Sequence, residues 1–364
     1  MNDAPAASPF AWTPRFTDRR WVALGLVVVY ALLVLWAVLH GTTVTRQASD
    51  YSFEQTDAGL YRAIVYRLDE GQGYYQAVAI EQPARNYPTS PVMTVREPTL
   101  AWATSVLGRT VMVTLMCMLS AAAILMSIWV FERTERRRRG WLAGVLLSTV
   151  ALGIFALPGG VCTHEVWMAL LVYLGLMCRG VGWTRTSMVL LLLASVVREL
   201  AAPVMGLMLL QAWRRGRRRE AAIWAVAVLI FSAFYGWHAH LVAELVDASG
   251  PVSQGWLAVG GWPFVVDSVR ETSVLSALPY WVAAVAVPLG MLGWFSRSGP
   301  LFETVSIVLA SYAALFCVVG RPDNAYWGAF LGIFVIVGLG MGVGALRGVL
   351  GPRRDVTSSS PAGA

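Results

Sequence analysis

The side chains in this sequence that could do chemistry are few and far apart. Asp57 opens the polar stretch "DAGLYRAIVYRLDEGQGYYQ", with Tyr61 one helical turn later and Tyr75 near its end. Beyond it stand Arg96 in "VREPTLAW", His164 and Glu165 in "THEVWMALL", Arg198 and Glu199 in "SVVRELAAP", and Arg321 in "GRPDNAY". A carboxylate can take a proton from a hydroxyl nucleophile when it lies within hydrogen-bond reach. Arginine can hold an oxyanion through a planar fork that never loses its charge.

Each of these residues also has a plainer reading. From Asp57 to about Leu68, the apolar positions Leu60, Tyr61, Ile64 and Leu68 recur at helical spacing, with Arg62, Tyr66 and Arg67 opposite. Asp57 falls on the apolar side, where a carboxylate is expensive unless something uses it. Thr56 or Asp57 could equally cap that helix. Arg198 lies inside a long apolar segment, which marks it as a site residue; the alternative is a salt bridge to Glu199, a poor geometry for helix neighbours. Arg321 is either a site cation or a turn arginine paired with Asp323. Arg96 could contact a headgroup beside Glu97, Glu165 could favour a helix N-terminus, and Tyr75 could belong to an interfacial belt. Asp50, Asp267 and Glu271 read as solvated loop charges.

The elements that must position these residues follow from composition. Of 364 residues 57% are hydrophobic and 13% charged, against about 25% charged in a soluble domain. Mean hydropathy is +0.60. All 28 basic residues are arginine. Their clustering beside apolar runs sets aside nucleic acid as the partner of the +7 net charge. Apolar runs predict membrane spans at Trp21–Leu39, Leu107–Phe131, Trp141–Leu157, Val166–Val181, Ala221–His238, Leu278–Phe295, Leu301–Val319 and Tyr326–Leu346. Arginine-rich flanks ("RFTDRR", "ERTERRRRG", "RRGRRRE", Arg297, "GPRRD") assign one side, including both termini, to the cytoplasm by the positive-inside rule. The loops near 41–106 and 242–274 then lie outside. The expected organisation is a tail over 1–20, a membrane domain over 21–347 and a tail over 348–364. The first span reads as an uncleaved anchor.

The segment "SMVLLLLASVVRELAAPVMGLMLLQAW" has cytoplasmic arginines at both ends, and each arm is about 13 residues, roughly 20 Å of helix. It predicts a two-helix hairpin with Arg198-Glu199 at the apex, in the outer half of the membrane. Such an apex has to be buried in protein or line a wet cavity. Cys162 and Cys317 fall near outer span ends and could pair, although their spacing does not require it. The four histidines show no metal-ligand pattern, and His238 and His240 read as interfacial.

One long outer loop carries a patterned block: Asp57 and Tyr61, then Gly71, Gly73, Tyr74 and Tyr75, then Arg96 and Pro98 leading into the next span. That block resembles the GT-C superfamily of integral-membrane glycosyltransferases. "THEVWMALLVYLGL", "VRELAAP" and "GRPDNAYWGAF" fall where that superfamily places short polar breaks between spans. Here Ala58 follows Asp57, where the superfamily usually has an acidic pair. The resemblance implies an all-α polytopic bundle of about eight full spans plus the short hairpin, with an amphipathic helix in the first outer loop. It implies transfer, with inversion, of a sugar from a polyprenyl-phosphate donor to a glycan, lipid or protein acceptor at the periplasmic face of a bacterial cytoplasmic membrane. Asp57 would be the general base. Arg198, Arg321 and Arg96 would hold the donor phosphate, and Tyr61, Tyr75, His164, Glu165 and Glu199 would line the pocket. Apart from membrane lipids no further partner is implied, and no cofactor or metal is indicated. The rival reading is a non-enzymatic transporter or flippase for a lipid-linked or anionic solute, which would need charges along a path to the inner side.

Overall fold

A computed structural model describes residues 20–40, 56–134, 142–143, 145–150, 160–245 and 250–350. Every regular element among the described residues is a helix, with one isolated bridge between Leu257 and Val319 and no strand. In chain order the helices are α1 (Arg20–His40), α2 (Asp57–Asp69), α3 (Tyr74–Ala84), α4 (Thr99–Thr134), α5 (His164–Gly180) and α6 (Thr184–Val197). They continue with α7 (Ala202–Arg214), α8 (Arg218–Ala243), α9 (Gly261–Glu271), α10 (Tyr280–Phe295), α11 (Pro300–Val318) and α12 (Gly328–Leu350).

Among the described residues four apolar stretches, carried by α4, α8, α11 and α12, are long and apolar enough to cross a membrane. The expected count of about eight is not reached among those residues. At 17 and 16 residues, α5 and α10 reach only about 25 Å, short of a roughly 30 Å hydrocarbon core. The expected span Trp141–Leu157 falls mostly outside the described residues, as do the two tails and Asp50.

The hairpin is present. α6 and α7 are 14 and 13 residues long and are separated at Arg198, whose φ of −154° and ψ of 114° end the first helix. Its base lies beside the ion pairs Arg179–Glu220 and Arg215–Glu303, and its apex beside Glu165 at the start of α5. α4 is also broken, at Gly108, where φ is +77° and ψ 155°. Only glycine enters that backbone region without strain. The break separates a short leg, Thr99–Leu107, from the long apolar arm.

The tightest seam joins α10 to α12. A Cβ added at Gly293 would lie 2.1 Å from the Gly338 carbonyl oxygen, and one at Gly338 would lie 2.1 Å from that of Gly290. The two backbones therefore touch, as small residues allow between membrane helices. The Trp294 indole N–H donates to the Phe334 carbonyl at 2.8 Å across the same seam.

The second expected loop contains α9. It buries Trp262, Val265, Val266 and Val269 against the bundle. Asp267 is thus partly buried on a helix rather than solvated in a loop. Burial, and then the charge of Glu271, pushes its carboxyl from an ordinary 3.8 up to about 6.

Two outcomes follow for stability. Gly338→Val forces a side chain into backbone that has no room to yield and should cost about 3 kcal/mol or more, whereas Gly332→Ala meets only ordinary contacts. Monodispersity and thermal unfolding in detergent separate the two. For Asp267 the folded pKa lies above the unfolded one, so its penalty is fully present above about pH 6 and disappears as pH falls towards 4. Asp267→Asn should raise the unfolding temperature by about 2–4 °C near pH 8 and leave it unchanged near pH 4.

Candidate functional site

The site forms where four segments meet around Arg198. Because Arg198 is extended rather than helical, its side chain and that of Glu199 do meet, and its Nη1 donates to the Glu199 carboxylate. The expectation that this pair would be poor assumed a continuous helix. Arg198 is 3% exposed, and its Nε donates to Glu165 Oε1 at 2.8 Å. The same Glu165 oxygen lies 3.6 Å from Arg96 Nη2. Arg96 also donates to the Tyr326 hydroxyl at 2.9 Å and to the Met93 carbonyl at 3.2 Å. Glu97, just before α4, accepts from the Glu199 backbone N–H at 2.9 Å.

Two guanidinium groups thus face three buried or nearly buried carboxyls. Burying an ion is costly unless it is paired and hydrogen-bonded, and the pairs here supply that. Three atoms stay unsatisfied: Arg96 Nε, Glu97 Oε2 and His164 Nδ1 are buried with no hydrogen-bond partner. Buried polar atoms are rarely left so, and these are open to a ligand or water.

Asp57 borders this cluster. Thr56 takes the capping role, its hydroxyl accepting the Gly59 N–H at 3.2 Å. The Asp57 carboxylate, in the first turn of α2, accepts instead from the Tyr87 hydroxyl at 2.5 Å. Burial, and then the Asp57 charge, holds the Tyr87 phenol well above its ordinary range, so it stays a donor. Burial likewise raises Tyr61, against the opposing charge of Arg96, and Asp57 and Glu165 add to the rise. Tyr61 is therefore close to Asp57, Glu165 and Arg96. Its ring meets that of His164 edge-on at 4.7 Å.

Helices α2 and α3 are held to the bundle at defined points. The Tyr74 hydroxyl donates to the Arg96 carbonyl at 2.6 Å. Tyr75 and His238 bond at 2.9 Å through Nδ1, and His238 Nε2 reaches the Val95 carbonyl at 3.3 Å. His238, expected at an interface, is fully buried and fixes the strand of backbone that carries Arg96. Glu81 on α3 bonds Arg67 of α2 and Arg85. Burial would raise its carboxyl, but the two arginines outweigh this and hold it below the usual range. The sequence does not signal α3, because Gly71 and Gly73 precede it and Pro83 lies inside it.

Two expected site residues stand elsewhere. Arg321 pairs with Asp323 and donates to the Gly255 carbonyl at 3.0 Å, the turn-arginine alternative. Tyr75 spends its hydroxyl on His238. Glu97, Tyr87 and Tyr326 join the site without having been chosen from sequence; only Glu97, next to Arg96 and before a span, carried any signal. Cys162 and Cys317 are free thiols. Among the described residues no cluster of three or more His, Cys, Asp or Glu is arranged to hold a metal.

Beside the cluster a small, mostly apolar cavity of about 20 Å³ lies between α2 and the short leg of α4. Ile64, Val65, Leu100 and Thr104 line it, and Tyr61 and His164 are shared with the ionic cluster. No protein-family model matches the chain, and no curated protein or solved structure is found similar to it.

The cluster itself is testable. Glu165→Gln leaves two buried guanidinium groups short of a carboxylate and should destabilise by about 3–5 kcal/mol. Asp57→Asn, at the cluster's edge, should leave thermal stability nearly unchanged. Equal unfolding temperatures for Glu165→Gln and wild type would refute the buried pairing.

Proposed function

We propose that this protein is an inverting glycosyltransferase that moves a sugar from a polyprenyl-phosphate donor to an acceptor hydroxyl at the outer face of a bacterial cytoplasmic membrane. The observation that carries the reading is Asp57, released from capping by Thr56 and oriented by Tyr87, with Tyr61 close both to it and to buried Arg96, whose Nε–H is unpartnered. In the reaction the acceptor oxygen attacks the anomeric carbon while Asp57 takes its proton. The bond from that carbon to the phosphate oxygen breaks, and its electron pair leaves with the polyprenyl phosphate. Arg96 and Arg198 are suited to stabilise that departing charge, exchanging part of their pairing with Glu165 for the phosphate. Tyr61 is placed to donate to the sugar.

Sidedness rests on arginine distribution. On the positive-inside rule the arginine-rich run 214–219 and the hairpin base are cytoplasmic, and Asp57 and the hairpin apex are then outside. Between the two ends, α6 and α7 bury Leu191, Ala194, Val204, Met205 and Met208. An apolar core there supports chemistry at one face over passage of a charged solute.

The test uses purified wild type and Asp57→Asn with a panel of radiolabelled polyprenyl-phosphate sugars and envelope glycans as acceptors. The substitution keeps shape and removes basicity. Turnover should fall about 100-fold or more with donor binding retained; full turnover by well-folded Asp57→Asn would sink the assignment of the base.

A further inference from the structure

The base of the hairpin, at the far end of α6 from Arg198, carries a second polar place. An open cavity of about 430 Å³ lies there between the first turns of α6 and α8. Arg185 and Thr186 form one wall, and Glu220 and Ile223 the other. Trp183, in the turn that leads from α5, completes the lining. Glu220 is already engaged: Arg179 pairs with one carboxylate oxygen, and Arg217 Nη1 lies 3.3 Å from the other. Arg185 is exposed and makes no hydrogen bond or ion pair among the described residues. Three guanidinium groups are thus set against one carboxylate, and the place is cationic.

The neighbouring surfaces say what would occupy it. Trp183 is 52% exposed, and its ring lies 5.6 Å from that of Trp129 near the end of α4. The Arg133 guanidinium stands over Trp129 at 4.0 Å. Exposed tryptophan beside arginine suits a membrane–water boundary. From Arg185 the same face of α6 continues with Val189 and Leu193, and from Ile223 the same face of α8 continues with Val226 and Ile230. All four are between 45% and 52% exposed. The two helices pack together, so two aliphatic rows run from the cavity along surface suited to lipid. A soluble anion would leave those rows unused, and a lipid without net charge would leave the excess of guanidinium groups unbalanced. Arginine forks match phosphate, and basic pockets between spans on the cytoplasmic side suit acidic headgroups.

We propose that this cavity is a headgroup site for an acidic phospholipid of the cytoplasmic leaflet, with its phosphate on Arg185 and its acyl chains along the rows through Val189 and Leu193 and through Val226 and Ile230. Such a lipid is a two-chain component of the bilayer, held at the membrane face opposite Asp57, and is not the sugar donor. The site uses none of the residues assigned to glycosyl transfer and stands or falls without that reading.

Native mass spectrometry of the purified full-length protein in neutral detergent, titrated with dioleoylphosphatidylglycerol, tests it. Dioleoylphosphatidylcholine and glycerol phosphate serve as controls for headgroup charge and for the chains. Wild type should bind phosphatidylglycerol at least about tenfold more tightly than either control. Arg185→Gln, at an exposed position where glutamine keeps helix propensity, should lose about tenfold or more, as expected for lost charged hydrogen bonds. Arg214→Gln removes the same charge from an exposed position outside the cavity and should stay within about twofold of wild type. Thr186→Trp, which fills the cavity and leaves every arginine in place, should weaken phosphatidylglycerol as Arg185→Gln does. Wild-type affinity in Arg185→Gln, an equal loss in Arg214→Gln, or equal affinity for either control in wild type would overturn the proposal. Sugar transfer is not read in this experiment, so the two readings fail separately.

Discussion

Burial of the Arg198 charge is the constraint on which the rest of this structure turns. A guanidinium at 3% exposure has to find carboxylates close by. Glu199 supplies one from the next residue and Glu165 another from the start of α5. Glu165 then draws in Arg96, and Glu97 accepts the backbone N–H of Glu199. One unavoidable charge thereby brings together the approach to α4, the head of α5 and the apex of the hairpin. Through Tyr326 it also reaches the turn before α12.

Backbone breaks make that convergence possible. Were α6 continuous through Arg198, neighbouring side chains would diverge and Glu199 would face away. The extended residue at 198 turns both toward the same side. Gly108 acts similarly in α4, giving a short leg on which α2 can lie while the long arm runs on through the bundle. Against these broken elements, the backbone contact of α10 with α12 supplies an unbroken wall.

The arrangement around Asp57 shows how a polar cap and a chemically available carboxylate can sit on consecutive residues. Thr56 satisfies the helix end, so the neighbouring acid need not. Tyr87, from beyond α3, then orients that acid. Docking of α3 through Tyr74, Tyr75 and His238 fixes the same backbone segment that presents Arg96. The position of the acid relative to the arginines is therefore held from both flanks.

By itself the sequence determined the apolar helices, the amphipathic α2 with its Leu60 and Ile64 face, and the hairpin broken at Arg198. These are legible because hydrophobic periodicity and a charge interrupting an apolar run are local properties. It also singled out Arg96, Glu165, Arg198 and Asp57, whose side chains are costly in apolar surroundings. It could not choose between Thr56 and Asp57 as the cap, or show that Arg321 closes on its neighbour Asp323 while Arg96 joins the cluster. Tyr87 and Tyr326 carried no signal, since a tyrosine beside a span reads as an interfacial ring wherever it falls. Only the tertiary structure decided these points, because a hydrogen bond spanning 30 or 230 residues depends on where distant helices dock, and nothing in the local pattern encodes that distance.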